Sequence, residues 1–491
     1  MEPSGPPTPP RLASVWDLDG TVLSTDVFVE SLLQVLGRAP WLFPHVVLWL
    51  LRGRGYCKGR IALLSGDNWE RWPVRPEVVT AIDSARAAGR PVLLATAAHR
   101  HMATRVARDT GLFDDVLAST DELNLKGDTK RTAILDWVER AGCDGFTYAG
   151  DSYADLPIWS AADSIIVVTP TEALQQRVER LGKPVAVLGP RRDTLGTIIR
   201  ALRPHQWAKN VLLFVPMVLA HAIDFPRLTA ALIAFLSFSA SASAVYVLND
   251  LADLPNDREH PKKRERPLAS GQLSISTGIW TLIGLLSLSL SLAVLVLPPE
   301  FALILVGYFV ANILYSQFIK QRAIVDVMLL AGMYLVRLEA GAVATATPIS
   351  KWLLIFSFFF FTSLAFSKRF TELRRLVNSG GERVAGRGYR ADDLSFIESL
   401  GTASGFVSVL VLALYMDSAP MQRLYGDSRL PWLICPLFLY WILRVWLLTH
   451  RGQLDEDPVV FALKDRVSFV IMLLSLLLTM ATPFTKWMVG Q

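Results

Sequence analysis

Asp17-Leu18-Asp19-Gly20-Thr21 follows a short apolar run and opens a loop. A carboxylate at the C-terminal end of a parallel strand sits where α/β folds place their chemistry. Two carboxylates two residues apart point the same way from an extended strand. One can attack a phosphoryl group while the other handles the leaving-group proton. Three partners come downstream: Thr96, which ends the run from Val92; Lys126 and Lys130, which flank Gly127-Asp128-Thr129; and Asp151 with Asp155, which follow Gly150. Phosphoryl transfer needs a nucleophile, a metal held by hard oxygen ligands, and cations or hydroxyls on the phosphoryl oxygens. This set supplies all of them in a sensible order. Alone, the stretch Asp17–Gly20 also reads as a plain turn between strand and helix. The ordered partners favour the chemistry, and none is missing, as it would be in a degenerate fold. Lys130 has the better spacing to Asp151, and Lys126 competes with it.

A second group lies further along. Asn249-Asp250 leads to Asp253 and Asp257, spaced i, i+3, i+7, and a basic run with Lys263 and Arg266 follows. That spacing puts three carboxylates on one helix face. Clustered carboxylates at the end of an apolar segment are costly unless they serve a purpose, and a divalent cation is their natural partner. Tyr315, Lys320, Arg322 and Asp326 come next, then Arg337 and Gly341. An acidic metal cluster beside Lys and Arg suits a diphosphate bridged to Mg2+. Pro255 inside the aspartate run is expected to break or kink the helix. That would put Asp257 past the helix end, with a weaker metal role than Asp250 and Asp253.

The elements that must position these residues fall into two kinds. The chain has 491 residues, 52% hydrophobic and only 19% charged, too apolar for an ordinary soluble protein. Up to about Arg203 it is mixed and charged; beyond, long apolar runs alternate with short charged loops. Val15-Trp16, Val92–Leu94, Thr147–Ala149 and Ile165–Val168 read as buried parallel strands with helical patterns between them, the mark of a doubly wound α/β domain. The apolar stretch Trp41–Leu51 is too short to span a bilayer, which takes about 20 residues. It reads first as a helical cap over the active site, and second as a helix resting on a membrane.

From Trp207 onward about nine spans are expected, centred near Val215, Leu236, Leu286, Val306, Leu330, Phe358, Val409, Phe438 and Leu474. Basic loops at Arg258–Arg266, Lys320–Arg322, Lys368–Arg390 and Arg451–Arg466 alternate with loops poor in Lys and Arg. The basic loops and the N-terminal domain are therefore expected on the cytosolic side of the plasma membrane. The formal net charge of +5 is read through the same rule and not as a nucleic-acid surface. Three cysteines without metal-ligand spacing suit a reducing compartment. The domains expected are a disordered tail at 1–12, an α/β domain at 13–187, a linker at 188–206 whose Arg191, Arg192, Arg200 and Arg203 suit anionic head groups, and an all-α membrane bundle at 207–491. The tail has neither the basic nor the apolar region of a signal peptide.

The first group resembles the haloacid dehalogenase (HAD) phosphatase superfamily over about the first 185 residues: DxDGT, a strand-ending Ser or Thr, Lys, then GDxxxD. The resemblance implies a Rossmann-like fold with a small helical cap and Asp17 as the nucleophile that forms an aspartyl-phosphate. It implies Asp19 as general acid/base, and Thr96 and a lysine on the phosphoryl group. Mg2+ would be held by Asp17, the Asp19 carbonyl and Asp151, with Asp155 in support.

The second half resembles the UbiA superfamily of membrane transferases, through NDxxDxxxD and a later aspartate-containing loop. Most members join a polyprenyl diphosphate to an aromatic acceptor. Arg203–Asn210, Asp257–Pro261, Lys368-Arg369-Phe370-Thr371-Glu372-Leu373, and Asp457-Pro458 with Lys464-Asp465-Arg466 resemble the decaprenyl-phosphate 5-phosphoribosyltransferase branch. That branch implies transfer of phosphoribose from phosphoribosyl pyrophosphate (PRPP) to a polyprenyl phosphate, with a second Mg2+ on Asp250, Asp253 and Asp257. Asn249, Lys209, Lys263, Arg266, Tyr315, Lys320, Arg322, Asp326, Arg337, Lys368 and Arg369 would serve the substrates. The phosphatase would then remove the ribose 5-phosphate, giving a polyprenylphosphoryl ribose for cell-envelope arabinan. Both sites are expected to face the cytosol, no nucleic acid is expected, and a homo-oligomer stays open. Three other readings stand beside this one: a prenyltransferase with an aromatic acceptor, a phosphatase fold acting only as a sensor, and a transporter. A transporter predicts paired inverted repeats, and none is visible.

Overall fold

The apolar run Leu12–Trp16 is strand β1, and it lies inside a six-stranded sheet of order β3-β2-β1-β4-β5-β6. The other strands are β2 (Val92–His99), β3 (Asp115–Ser119), β4 (Gly145–Gly150), β5 (Ser164–Val168) and β6 (Val185–Leu188). All pairings are parallel. Successive residues of β2 alternate between the two faces, Val92 and Leu94 packing on one core and Leu93 and Ala95 on the other. The four inner strands are those read from the sequence. β3 and β6, the edges, are half-exposed and carry too few buried apolar residues to stand out as strands.

The connections supply helices α1 (Val27–Arg38), α2 (Phe43–Arg52), α3 (Arg54–Leu64), α4 (Pro76–Ala87), α5 (Arg100–Thr110), α6 (Asp128–Arg140), α7 (Leu156–Ala161) and α8 (Glu172–Glu179). Helices α4 and α5 cover one face of the sheet, and α6, α7 and α8 the other. Helices α1, α2 and α3 form the expected small helical cap around Val35, Val46, Cys57 and Ile61. The structure is a computed structural model, and it describes residues 11–65, 72–190, 193–378, 387–418, 421, 430–454 and 458–489. The tail up to residue 10, Arg191, Arg192 and Asp457 lie outside the described residues.

The chain divides into two compact units, Met1–Leu202 with Val247–Thr281, and Arg203–Tyr246 with Leu282–Gln491. The aspartate run thus belongs to the first unit, although the apolar helix leading into it starts in the second. The remaining helices are α9 (Thr194–Leu202), α10 (Val215–Leu219), α11 (Phe225–Ala252), α12 (Leu254–Glu259), α13 (Ile275–Val296), α14 (Pro299–Gln317), α15 (Val325–Ala344), α16 (Lys351–Asn378) and α17 (Leu394–Met416), followed by Ile434–His450, Pro458–Lys464 and Arg466–Val489.

Among the described residues, seven helical segments are long and apolar enough to cross a membrane, so the expected count of nine is not reached. The first expected span, near Val215, is a run of 3-10 turns over Pro204–Phe214 followed by the short α10. Proline at the start of each piece removes backbone donors and breaks any longer helix. The last, near Leu474, lies on the 24-residue helix Arg466–Val489. Burial separates the roles of the others. The apolar window of α13 is only 11% buried, as suits a lipid-facing helix, whereas that of α16 is 67% buried.

Candidate active sites

The phosphatase residues gather at the C-terminal ends of β1 and β4, adjacent strands whose connections leave to opposite sides, where open α/β sheets bind ligands. Asp17 follows β1, and its Oδ1 lies 3.0 Å from Lys130 Nζ. Lys130 is buried at the start of α6, over the ring of Tyr148, with Asp155 Oδ1 3.9 Å away. Lys126 also lines the cavity, but the ion pair with Asp17 is made by Lys130, so the geometry favours Lys130 as the lysine beside the nucleophile. Asp155 is a positioning group. It accepts from the Tyr148 hydroxyl at 2.8 Å, from Ser152 N and Oγ at 3.1 Å each, and from Asp151 N at 3.3 Å. These bonds fix the turn that presents Asp151.

Gly20 has φ +75°, and a Cβ there would lie 2.1 Å from the Asp151 carboxylate. Only glycine allows Asp151 to approach this loop so closely. Burial raises the Asp17 carboxyl from 3.8 to about 7, opposed by Lys130 and reinforced by Asp155 and Asp151. Asp19 is pushed well above the ordinary carboxylate range by burial, then by Asp26 and Asp17, although it accepts a 2.8 Å bond from Val27 N. A crowded set of desolvated carboxylates fits a hard divalent cation. Among the described residues, no three His, Cys, Asp or Glu side chains are already drawn together as a metal cage.

Two findings differ from the sequence pattern. Thr96 is fully buried, its Oγ1 accepts from Ala98 N at 3.0 Å, and Ala97 lines the cavity in its place. The sequence reading also missed Lys58 of α3, which lines the cavity and donates to Ala97 O at 2.7 Å. Its ammonium is lowered by burial, against the pull of Asp19 and Asp26. A lone lysine in a cap helix carries no motif, so nothing in the sequence marks it.

The cavity holds about 300 Å3. One side is Asp17, Asp19, Lys58, Lys126 and Lys130; another is Gly271, Ser274 and Ser276, from the stretch that follows the aspartate run. That stretch is seated closely. Gly271 has φ +72°, and a Cβ on it would meet Ser24 Oγ at 2.2 Å. Glu30 of α1 and Arg258 of α12 form a buried ion pair, and Thr25 Oγ1 donates to the same Glu30 carboxylate at 2.7 Å.

The aspartate run itself is almost continuous. Asp253 N donates to Asn249 O and Asp257 N to Asp253 O, both at 2.9 Å, while Pro255 falls in the first turn of α12, where its missing N–H costs little. The proline therefore restarts the helix instead of ending it. Asp257 is the most buried of the three, contrary to its expected place beyond the helix. Asp250 and Asp257 converge on Arg266 Nη1, at 3.2 and 2.5 Å. Asp257 Oδ1 has no hydrogen-bond partner among the described residues, and Lys263 Nζ is 3.7 Å away. A buried carboxylate oxygen left unsatisfied fits a cation-binding role. Asp253 is half-buried at the α11–α12 junction and Asn249 one turn before it.

The second unit holds two networks. Asp326 is fully buried; it accepts from Arg369 Nε at 2.7 Å and from the Tyr389 hydroxyl at 2.6 Å. Arg369 also bonds Glu372 and, at 2.9 Å, the Tyr315 hydroxyl, which takes a second bond from Arg387 at 2.8 Å. Tyr389 also accepts from Ile324 N, holding a β-branched residue at φ +68°. Arg337 is elsewhere, deep in the bundle. It donates to Asn210, Met333 O and Tyr308 and lies over the rings of Phe238, Tyr308 and Tyr334. That environment ties α15 to Asn210 and to Tyr308 of α14. Lys209, Lys320 and Lys368 are half-buried, and Arg322 is exposed.

A parallel α/β sheet with paired aspartates at its centre, followed by an apolar helical bundle with an acidic helix junction, defines a membrane transferase joined to a hydrolase domain. The sequence comparisons give the family. Residues 211–477 match the UbiA prenyltransferase family, and residues 14–160 match the haloacid dehalogenase-like hydrolases. The chain belongs to the UbiA prenyltransferase family and carries a HAD-type hydrolase domain ahead of it. It is a multi-pass membrane protein. It is 34% identical to an uncharacterized protein, y4nM, of Sinorhizobium fredii, over 94% of this chain and 89% of that one. It is 34% identical to the nodulation protein NoeC of Azorhizobium caulinodans, over 56% of this chain and 90% of that one. It is 32% identical to the decaprenyl-phosphate phosphoribosyltransferase of Mycobacterium tuberculosis, over 57% of this chain and 92% of that one.

Proposed function

We propose that the chain performs two successive steps: transfer of 5-phosphoribose from PRPP to a polyprenyl phosphate, then removal of the ribose 5-phosphate. The similarity to decaprenyl-phosphate phosphoribosyltransferase supports the first step. The observation that carries the pairing is the phosphatase cavity, whose wall includes Gly271, Ser274 and Ser276 from the stretch just after the transferase aspartates. A site that removes an arbitrary metabolite's phosphate has no need of that wall.

In the first step an oxygen of the lipid phosphate attacks the anomeric carbon. A C–O bond forms there, and the bond to pyrophosphate breaks. Asp250, Asp253 and Asp257 would hold Mg2+, which when bound supplies positive charge to the leaving pyrophosphate. Lys263 and Arg266, already at these carboxylates, neutralise the donor phosphates when it enters. The apolar spans hold the prenyl tail. In the second step the Asp17 carboxylate attacks phosphorus, and the bond to the ribose O5 breaks. Asp19, held protonated by its buried site, gives its proton to that oxygen. It then takes a proton from the water that hydrolyses the aspartyl-phosphate. Lys130 keeps Asp17 aimed and balances its charge. Asp17, the Asp19 carbonyl and Asp151 would hold a second Mg2+. The charge rule for the basic loops supports a cytosolic position at the plasma membrane for both sites.

Purified protein with Mg2+, PRPP and a polyprenyl phosphate tests this, with lipid products weighed by mass spectrometry beside the Asp17→Asn variant. Wild type is expected to yield the ribosyl lipid, and Asp17→Asn its 5-phosphate. If neither adds pentose mass, while a prenyl diphosphate and an aromatic acceptor react, the phosphoribosyl reading falls.

A further inference from the structure

Helix α2 is built upside down for a soluble domain. Of its ten residues only Val46 is buried. Phe43, Val47, Leu48, Leu50 and Leu51 are exposed, Leu51 by 80%, and Trp41 just before the helix is 70% exposed. Leu63 and Leu64 at the end of α3 add to the same kind of surface. An apolar patch of this size on a folded domain marks an interaction surface.

Its charge surroundings select the partner. The stretch Ser31–Ser65 contains Arg38, Arg52, Arg54, Lys58 and Arg60 and no Asp or Glu. Lys58 turns into the phosphatase cavity, while Arg38, Arg52, Arg54 and Arg60 are exposed. Apolar side chains, Trp41 at the rim and flanking arginines without acids match an anionic bilayer surface, where rings and aliphatic side chains enter the head-group boundary and arginines meet lipid phosphates. At ten residues the helix is far below spanning length, so it lies in the plane of the interface. The chain's own membrane helices confine the domain to a bilayer, which keeps such a surface within reach at all times. We propose that α2 is an interfacial lipid-binding helix that seats the phosphatase cap on the anionic leaflet. This proposal is independent of the substrate assigned to the phosphatase site.

The test uses the full chain in nanodiscs, with Cys143 and Cys435 replaced by Ser, buried Cys57 retained, and a spin label at Leu48→Cys or, as a water-facing reference, Glu139→Cys. Hydrolysis of an aryl phosphate checks that each labelled protein is folded. In discs containing phosphatidylglycerol, the label at position 48 is expected to collide with oxygen more than with a nickel chelate. The reference shows the opposite. Replacing phosphatidylglycerol by phosphatidylcholine, or combining the label with Arg52→Glu and Arg54→Glu, is expected to shift the position-48 label back toward the chelate. A position-48 label as open to the chelate as the reference in anionic discs overturns the proposal. So does a label shielded from both probes with dipolar broadening between copies, which would make a second chain the occupant. A depth indifferent to lipid charge overturns the anionic selectivity.

Discussion

Asp17 and Lys130 set the behaviour of the phosphatase site because they are buried together. Without a metal, the Asp17 carboxyl titrates near 7 in the folded protein against 3.8 for the free group. Between those values the folded state binds more protons than the unfolded one, so stability must fall as pH rises from about 4 to about 7. Melting followed by tryptophan emission in EDTA is expected to show that fall. Asp17→Asn is expected to lessen it, with the raised Asp19 carboxyl leaving a remainder, and Mg2+ at pH 7 to oppose it. A metal-free melting curve that rises across this range would sink the assignment of burial as the dominant cause. The two candidate lysines separate by their surroundings. Lys130→Met leaves Asp17 and Asp155 buried without their cation, a loss of about 3–5 kcal/mol together with activity. Lys126→Met removes a cavity-lining group from an exposed position and is expected to raise KM with little change in melting. Equal thermal losses in the two variants would contradict this ordering.

At the scale of elements, the most consequential contact in the helical unit is the Arg369–Asp326 pair joining α16 to α15. Arg369→Ala removes the cation from a fully buried carboxylate and one donor from the Tyr315 hydroxyl, while the Tyr389 hydroxyl keeps its bond to Asp326. A loss of about 3–5 kcal/mol is expected, read as a lower midpoint of thermal aggregation in detergent, with Arg369→Lys recovering only part because it lacks the guanidinium fork. An Arg369→Ala protein as stable as wild type would show that the network is not structural. Such pairs explain what the sequence could and could not say. The strands β1, β2, β4 and β5 were legible because they are buried on both faces and read as unbroken apolar runs, and the Asp17, Lys130 and Asp151 sites because their spacing is local to strand ends. Asp326 with Arg369, Glu30 with Arg258, and Lys58 at the cavity join residues far apart in the chain, where no periodicity records the pairing. The first expected span failed for a local reason: apolar composition around Val215 outweighed Pro204 and Pro216, which together forbid one long helix.

At the scale of the molecule, the question is whether the hydrolase is merely tethered or is fitted to its neighbour. A tether alone raises the local concentration of the second site. Within the first unit, Glu30 holds Thr25 beside the nucleophile loop and pairs with Arg258, one residue after Asp257. Glu30→Gln keeps an acceptor for Thr25 but removes the charge that faces Arg258. If the seating of the 258–276 stretch matters for a lipid-borne substrate, this variant is expected to hydrolyse a soluble aryl phosphate within about twofold of wild type. It is also expected to accumulate the phosphoribosyl lipid in the coupled reaction, because a half-satisfied buried arginine loosens the wall that receives it. The measurement is the ratio of phosphorylated to dephosphorylated ribosyl lipid at matched aryl phosphatase activity. A ratio unchanged from wild type would mean that the phosphatase meets its substrate through proximity alone, and that the wall formed by Gly271, Ser274 and Ser276 serves folding and not the passage of product.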